Sequence, residues 1–350
     1  MLHRLRTAAA LAVAAAALCA PADGAGLPQA RSVDARWPLQ TEWRGRAPVR
    51  APSEPSEVTV AVIDTGADLS HPDLACRLWT NPGEIAGNGI DDDHDGIVDD
   101  VHGANLLDGS GDPLDDSGHG THVAGIIAAG CAKHSGVAGV APRARIMVVK
   151  ALDDHADGNL DTVAAGIRYA VAHGARIVNL SLSGPLPDAD LAAAIDEARV
   201  AGVLVVAAAG NNGSDDDLVP VYPAALAAPN LLTATAINWR GALGAGANYG
   251  RTTVDLTAPG GSILSTARGG GYEVRSGSSM AAAYVSGALA DLAAARPDLG
   301  WQALRDALVS TARPTRLPVA AGRLDLRRAL AALGADSQDR TAARARHARA

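Results

Sequence analysis

Five short apolar runs decide most about what this chain can fold into. Val58–Ile63, Ile146–Val149, Ile177–Leu182, Val203–Ala209 and Leu231–Ala236 are rich in β-branched and small side chains and carry almost no charge. A strand with one wet face alternates apolar and polar residues, whereas a strand covered on both faces has no need to. Between the runs the spacing becomes helical. Leu160, Val163, Ile167 and Val171 recur at helix intervals with Gly174 as a stop, and Leu191, Ile195 and Ala198 repeat the pattern before Gly202. Strands alternating with helices predict an α/β fold, with parallel strands joined by right-handed crossovers. Met280 to Leu333 reads as three further helices, broken at Pro297, Gly300 and around Pro314.

The ends read differently. Arg4 and Arg6 precede an apolar stretch, Ala8 to Ala20, and Ala20-Pro21-Ala22 fits a small-residue cleavage site. Residues 1–22 are therefore expected to be a signal peptide, and the protein secreted to an extracellular or periplasmic space. The stretch is too short for a permanent bilayer helix and no other approaches that length, so no stable membrane span is expected. Residues 23–55, rich in Pro, Arg and Ala, read as a linker or short pro-segment. Residues 335–350, with Arg340, Arg344, Arg346 and Arg349, read as a disordered basic tail. Removing residues 1–22 takes away two arginines and no acid, moving the formal charge from −8 to −10. An acidic chain without a basic patch excludes nucleic acid as a partner. Of the 3 cysteines, Cys76 and Cys131 outlast that cleavage, and an oxidising compartment makes a single disulfide possible.

Open α/β sheets carry their sites beyond strand C-terminal ends. Asp64 stands there, in Val62-Ile63-Asp64-Thr65-Gly66. Asp-Thr-Gly also marks aspartic proteases, but those need a second copy and this chain has one. His119 lies in Ser117-Gly118-His119-Gly120-Thr121-His122, where flanking glycines let it project at a helix start and exchange a proton near neutral pH. His119 and His122 without further carboxylate or thiolate neighbours make a poor zinc site. Ser279, in Ser276-Gly277-Ser278-Ser279-Met280-Ala281, opens an apolar helical run. It is either a helix N-cap or a nucleophile favoured by the helix N-terminus. Asn211, after the run ending at Ala209, is either a left-handed turn residue or a donor to an oxyanion.

Together these segments resemble the subtilisin-like serine proteases. The likeness runs through Ala61–Leu74, Ser117–Gly125, Gly136–Leu152, Ala207–Gly213 and Gly277–Gly287, with Asp, His and Ser in that family's order. It implies a three-layer α/β/α fold with a mainly parallel central sheet over residues 56–334. It also implies a serine endopeptidase that hydrolyses peptide bonds through an acyl-enzyme. In that reading Ser279 attacks, His119 takes its proton, Asp64 orients His119, and Asn211 with the Ser279 N–H binds the oxyanion. Ser181, Leu182, Ser183 and Gly184 resemble the edge that pairs with an extended protein or peptide substrate. The enzyme is expected to act as a monomer. Ser278 replaces a usual Thr, Ala283-Tyr284 a usual Pro-His, and Ser183 a usual Gly, which narrows the pocket wall. Asp215–Asp217, near the rim of the main pocket around Val221–Ala224, could favour basic substrate side chains.

Residues 81–103 form an acidic insertion in that framework. Asp91, Asp93 and Asp95 at alternate positions, then Gly96 and later Asp99, reproduce the first half of a calcium loop, with calcium as a structural cofactor. His102 stands where a bidentate Glu would complete an EF-hand. The resemblance further places Cys76 close to Cys131, near a calcium site many relatives use, and implies a disulfide replacing that ion. Three competing readings share these residues: a non-catalytic binding relative, an aspartic protease on Asp64, and a processing protease dedicated to one precursor.

Overall fold

A computed structural model describes residues 13–14, 38, 57–132 and 137–334. The expected signal peptide, apart from Val13–Ala14, therefore lies outside the described residues, as do almost all of the linker and the basic tail.

Among the described residues, eight parallel strands form the central sheet. With Val13–Ala14 counted as β1, they are β2 (Thr59–Asp64), β3 (Gly103–Asn105), β4 (Arg145–Lys150), β6 (Ile177–Leu180), β7 (Leu204–Ala208), β8 (Leu231–Ile237), β9 (Leu256–Pro259) and β12 (Gly322–Arg323). Their spatial order is β12-β9-β8-β7-β6-β2-β4-β3. All five apolar runs are strands of this sheet, and burial on both faces explains why none alternates. Val60 and Val62 of β2 point into one core, with Val123, Ile127 and Leu289; Ala61 and Ile63 point into the other, with Val163, Ile167 and Ile195.

The helices supply the outer layers. α1 (His119–Ala128), α4 (Ser278–Ala295) and α5 (Trp301–Ser310) cover one face, and α2 (Leu160–Ala172) and α3 (Ala189–Val200) the other. Asn159 caps α2 by accepting from Thr162 N at 2.7 Å, and Asp188 caps α3 by accepting from Leu191 N at 2.7 Å. Buried on nearly every side, α4 is dominated by Ala and Ser, small side chains that let a helix lie close on a sheet, with Met280, Tyr284, Leu289 and Leu292 as its larger apolar members.

Several elements escape the pattern. β9 contains Asp255's neighbour Leu256 and ends in Pro259, and β12 is two residues long, so neither shows a long apolar run. The antiparallel hairpin β10 (Ile263–Ala267) and β11 (Gly271–Arg275) has one exposed strand. A short antiparallel pair joins β1 to β5 (Asp157–Gly158). Three C-terminal helical segments occur, the last over residues 326–334, with β12 inserted before it.

From β2 the chain runs out to the edge strand β3, steps back to β4, and then crosses to place β6 on the other side of β2. Such a reversal leaves a crevice at the strand C-termini, where loops diverge to opposite faces. Asp64 ends β2 there, and Leu180 ends β6 directly before Ser181.

Candidate active site

Asp64 is fully buried, and its Oδ1 accepts from the Thr65 amide at 2.8 Å and from His119 Nδ1 at 2.7 Å. Its Oδ2 is enclosed with no hydrogen-bond partner. His119 is the first residue of α1, behind Gly118 in the left-handed region at φ 97°. The approach of α1 to β2 leaves no room beside the next residue: a Cβ on Gly120 would sit 2.1 Å from the Gly66 carbonyl oxygen and 3.2 Å from Asp64 Oδ1. Burial works against a charged imidazole at His119. The charge of Asp64 and its hydrogen bond work the other way and prevail, so the pKa of His119 lies above the ordinary 6.5.

Two residues that sequence reasoning missed hold this pair. Asp115 is buried and organises the turn into α1: Oδ1 accepts from Ser117 N, Gly118 N and Thr65 Oγ1, and Oδ2 from Thr121 N and Oγ1. Thr65 Oγ1 in turn accepts from Gly120 N at 2.9 Å. Lys150, buried at the end of β4 beside Asp64, donates to Thr65 O at 2.9 Å, Leu152 O at 3.1 Å and Asp116 Oδ1 at 2.6 Å. An acid shortly before a helix start and a lysine ending an apolar strand were the available signals.

Ser279 lies in the first turn of α4 and is 7% exposed. Its Oγ donates to the Ser181 carbonyl at 3.1 Å, while Ser181 Oγ donates to the Ser279 carbonyl at 2.9 Å. Its single proton is thus engaged by Ser181, and it must leave that partner before it can be given to any base. Asn211 meets the same helix start: its Oδ1 accepts from Ser278 N at 2.8 Å, and Gly210 N donates to Ser278 Oγ at 3.0 Å.

The sequence of the chain matches the model of the Subtilase family over residues 55–343. The chain belongs to the subtilase family. It is 40% identical over 234 residues to a thermophilic serine proteinase of Bacillus sp. (strain AK1), covering 67% of this chain and 51% of that one. It is 39% identical over 238 residues to an intracellular serine protease of Paenibacillus polymyxa, covering 67% and 65% respectively. It is 37% identical over 259 residues to subtilisin E of Bacillus subtilis (strain 168), covering 73% and 61%. The chain thus spans about half to two thirds of the length of these curated relatives.

In this subtilase β6 stops at Leu180, and Ser181, Leu182 and Ser183 follow it as buried residues, Ser181 against Ser279. Gly184 exchanges both backbone hydrogen bonds with Tyr222, at 2.8 Å each, and the Tyr222–Pro223 peptide bond is cis. Of the acidic rim, Asp216 is buried, while the exposed Asp217 accepts from the amides of Arg251, Thr252 and Thr253.

The acidic insertion folds back on itself. Glu84, absent from the sequence reading, joins Asp91 and Asp93 in a group whose carboxylate oxygens lie within 4.8 Å of one another. Asp91 Oδ2 accepts from Gly96 N, but Asp91 Oδ1 is enclosed without a partner, as an oxygen awaiting a cation would be. Asp95 sits with Asp93 against His173, whose Nε2 is 3.4 and 3.5 Å from the two carboxylates. Asp99 is placed elsewhere: its oxygens accept from the amides of Gly87, Asn88 and Gly89 and shape the loop. Position 99 pins the turn, while the returning chain brings in position 84.

Cys76 and Cys131 form a disulfide with Cα atoms 5.8 Å apart. It joins the turn after the Asp64 motif to the segment after α1. Beside it, Asp73 accepts from Ala132 N at 2.8 Å and Tyr272 OH at 2.6 Å, so that carboxylate is satisfied by the protein itself.

Proposed function

We propose that this chain is an exported serine endopeptidase whose catalytic domain occupies residues 56–334. The observation that carries the reading is the buried Asp64–His119 pair, 2.7 Å apart, at the sheet crevice that also receives the start of α4 with Ser279. His119 donates its Nδ1 proton to Asp64, which leaves Nε2 as the base. Ser279 turns from Ser181, gives its proton to Nε2 and attacks the scissile carbonyl. The imidazolium, stabilised by Asp64, passes the proton to the leaving amine, and water reverses the sequence on the acyl-enzyme. Asn211 Nδ2 and the Ser279 N–H, backed by the N-terminus of α4, receive the oxyanion; one such donor is worth about 3–4 kcal/mol.

The substrate lies extended in the crevice. The edge at Asp157–Gly158 already takes up an extended strand of this chain, Val13–Ala14, in antiparallel pairing. Backbone pairing of that kind recognises any extended peptide and leaves preference to pockets. Export is supported by the basic and apolar start of the sequence and by a disulfide suited to an oxidising compartment. Calcium is held by Glu84, Asp91 and Asp93, and its role is to neutralise and order the 81–103 loop.

Fluorophosphonate labelling of the processed protein, supplied with calcium and read by peptide mass spectrometry, tests the reading. The expected label sits on Ser279 and is absent from Ser279→Ala. A folded protein that takes no label overturns the catalytic reading in favour of a binding-only relative.

A further inference from the structure

Asp64 and Asp91 are not the only carboxyls with an enclosed, unpartnered oxygen; Asp216 is another, and the mechanism above does not use it. Asp216 is 2% exposed, its Oδ2 has no hydrogen-bond partner among the described residues, and its Oδ1 accepts from Asn248 Nδ2 at 2.9 Å. Asn248 is itself fully buried and uses its whole side chain on the loop that carries Asn211. Nδ2 donates its other proton to Ala209 O at 3.0 Å, and Oδ1 accepts from Asn212 N at 2.7 Å and Ser214 N at 3.1 Å. Its backbone N–H donates to Gly210 O at 3.0 Å. These bonds straddle Asn211 on both sides. The fit has no slack, since a Cβ on Gly210 would lie 2.6 Å from Asn248 Nδ2.

The orientation of the Asn248 amide matters. Flipped, its NH2 would face the N–H groups of Asn212 and Ser214, donor against donor, and its oxygen would face the Ala209 carbonyl. Asp216 supplies the second acceptor on the Nδ2 side, without which a buried N–H is left unpaired. The backbone of Asp216 is tied to the same segment, donating from N to Tyr249 O at 2.7 Å.

We infer that Asn248 and Asp216 are positioning residues for the oxyanion donor: together they fix the 209–214 loop so that Asn211 meets Ser278 N and aims its Nδ2 at the reacting carbonyl. This rests on the reading of Asn211 as that donor. Burial pushes the Asp216 carboxyl up to about 7 against the opposing hydrogen bond from Asn248, with the charges of Asp215 and Asp217 adding to the rise. Neutral or charged, Oδ1 still accepts from Asn248, and asparagine at this position would do the same.

The test is a coupling cycle in the full chain, with Asp216→Ala and Asp216→Asn each made alone and together with Asn211→Ala. Substrate turnover on a peptide anilide is read beside inhibition by a peptide aldehyde, which forms a tetrahedral adduct, and by a non-covalent peptide. Asp216→Ala is expected to lower kcat about 10- to 100-fold, with KM within about 3-fold. It should weaken the aldehyde by the same factor and leave the non-covalent peptide alone. Asp216→Asn should restore kcat to within about 3-fold of the parent, and in the Asn211→Ala background Asp216→Ala should cost less than about 2-fold more. If Asp216→Ala does not fold, the isosteric Asn248→Asp takes its place with the same expectations. Equal losses in both backgrounds, or a loss borne by KM and the non-covalent peptide, overturn the inference while leaving Asn211 as the donor. An unchanged kcat in Asn211→Ala alone overturns the oxyanion reading and this inference with it.

Discussion

Replacing Asp64 with Asn changes one atom of a fully buried group and separates charge from shape. In the parent protein Asp64 Oδ1 holds both Thr65 N and His119 Nδ1. An asparagine has two ways to fit. If its oxygen keeps that place, its NH2 fills the enclosed Oδ2 position, which has no partner, and the imidazolium loses its counter-charge. If it flips, the NH2 faces Thr65 N and forces His119 Nδ1 to accept, which leaves the wrong tautomer for taking the Ser279 proton. Either way kcat should fall about 10⁴-fold, or about 5 kcal/mol at 1.36 kcal/mol per decade. The pH profile gives a second, independent reading. His119 must be neutral to act as a base, and its pKa is raised above 6.5, so parent activity is lost as pH falls through a midpoint above 6.5. In Asp64→Asn the two raising effects of Asp64 are gone, while burial and the nearby Arg275 still lower the value. The acid midpoint should therefore move downward as the rate collapses. The same linkage gives the stability sign: the raised His119 contributes stability that is complete below about 6.5 and fades as pH rises through its folded pKa. The assay is kcat/KM on a chromogenic peptide from acid to neutral pH. A kcat within about 10-fold of the parent, or an acid midpoint that stays in place, would refute the reasoning.

The remaining outcomes are measured by calorimetry in a Ser279→Ala background that removes the proposed nucleophile. Cys76→Ser with Cys131→Ser opens a link across a sequence separation of 55 residues. Chain entropy sets its worth at about 4 kcal/mol, or about 7 °C in Tm for a domain of this size; an unchanged Tm would show that the disulfide is no staple. Chelation should lower Tm, because calcium at about 100 times its Kd adds about 2.7 kcal/mol. Glu84→Gln should reduce that calcium dependence and Asp99→Asn should leave calcium affinity largely intact; a Tm indifferent to calcium in the parent chain would sink the site.

Local sequence determined the five long buried strands and the helices between them, and it singled out the candidate site residues, each for a physical reason. A strand buried on both faces must be apolar throughout, so Val58–Ile63 and its counterparts announce themselves without alternation. Side chains that project at helix starts need small neighbours, which is why Gly118, Gly120 and Gly277 flag His119 and Ser279, the proposed base and nucleophile. Tertiary structure alone decided which side chains share an environment. Whether Asp99 or Glu84 faces Asp91 depends on where the loop turns back, and spacing along the chain does not encode it. Ser181 and Ser279 exchange hydrogen bonds across a sequence separation of 98, which no local pattern announces. Asp115, Lys150, Asp216 and Asn248 are ordinary polar residues in the sequence. Only the fold removes them from water, and a buried polar group must find its partners within the protein. That obligation turns Asp115 into the brace of the His119 turn and Asn248 into the clamp of the Asn211 loop.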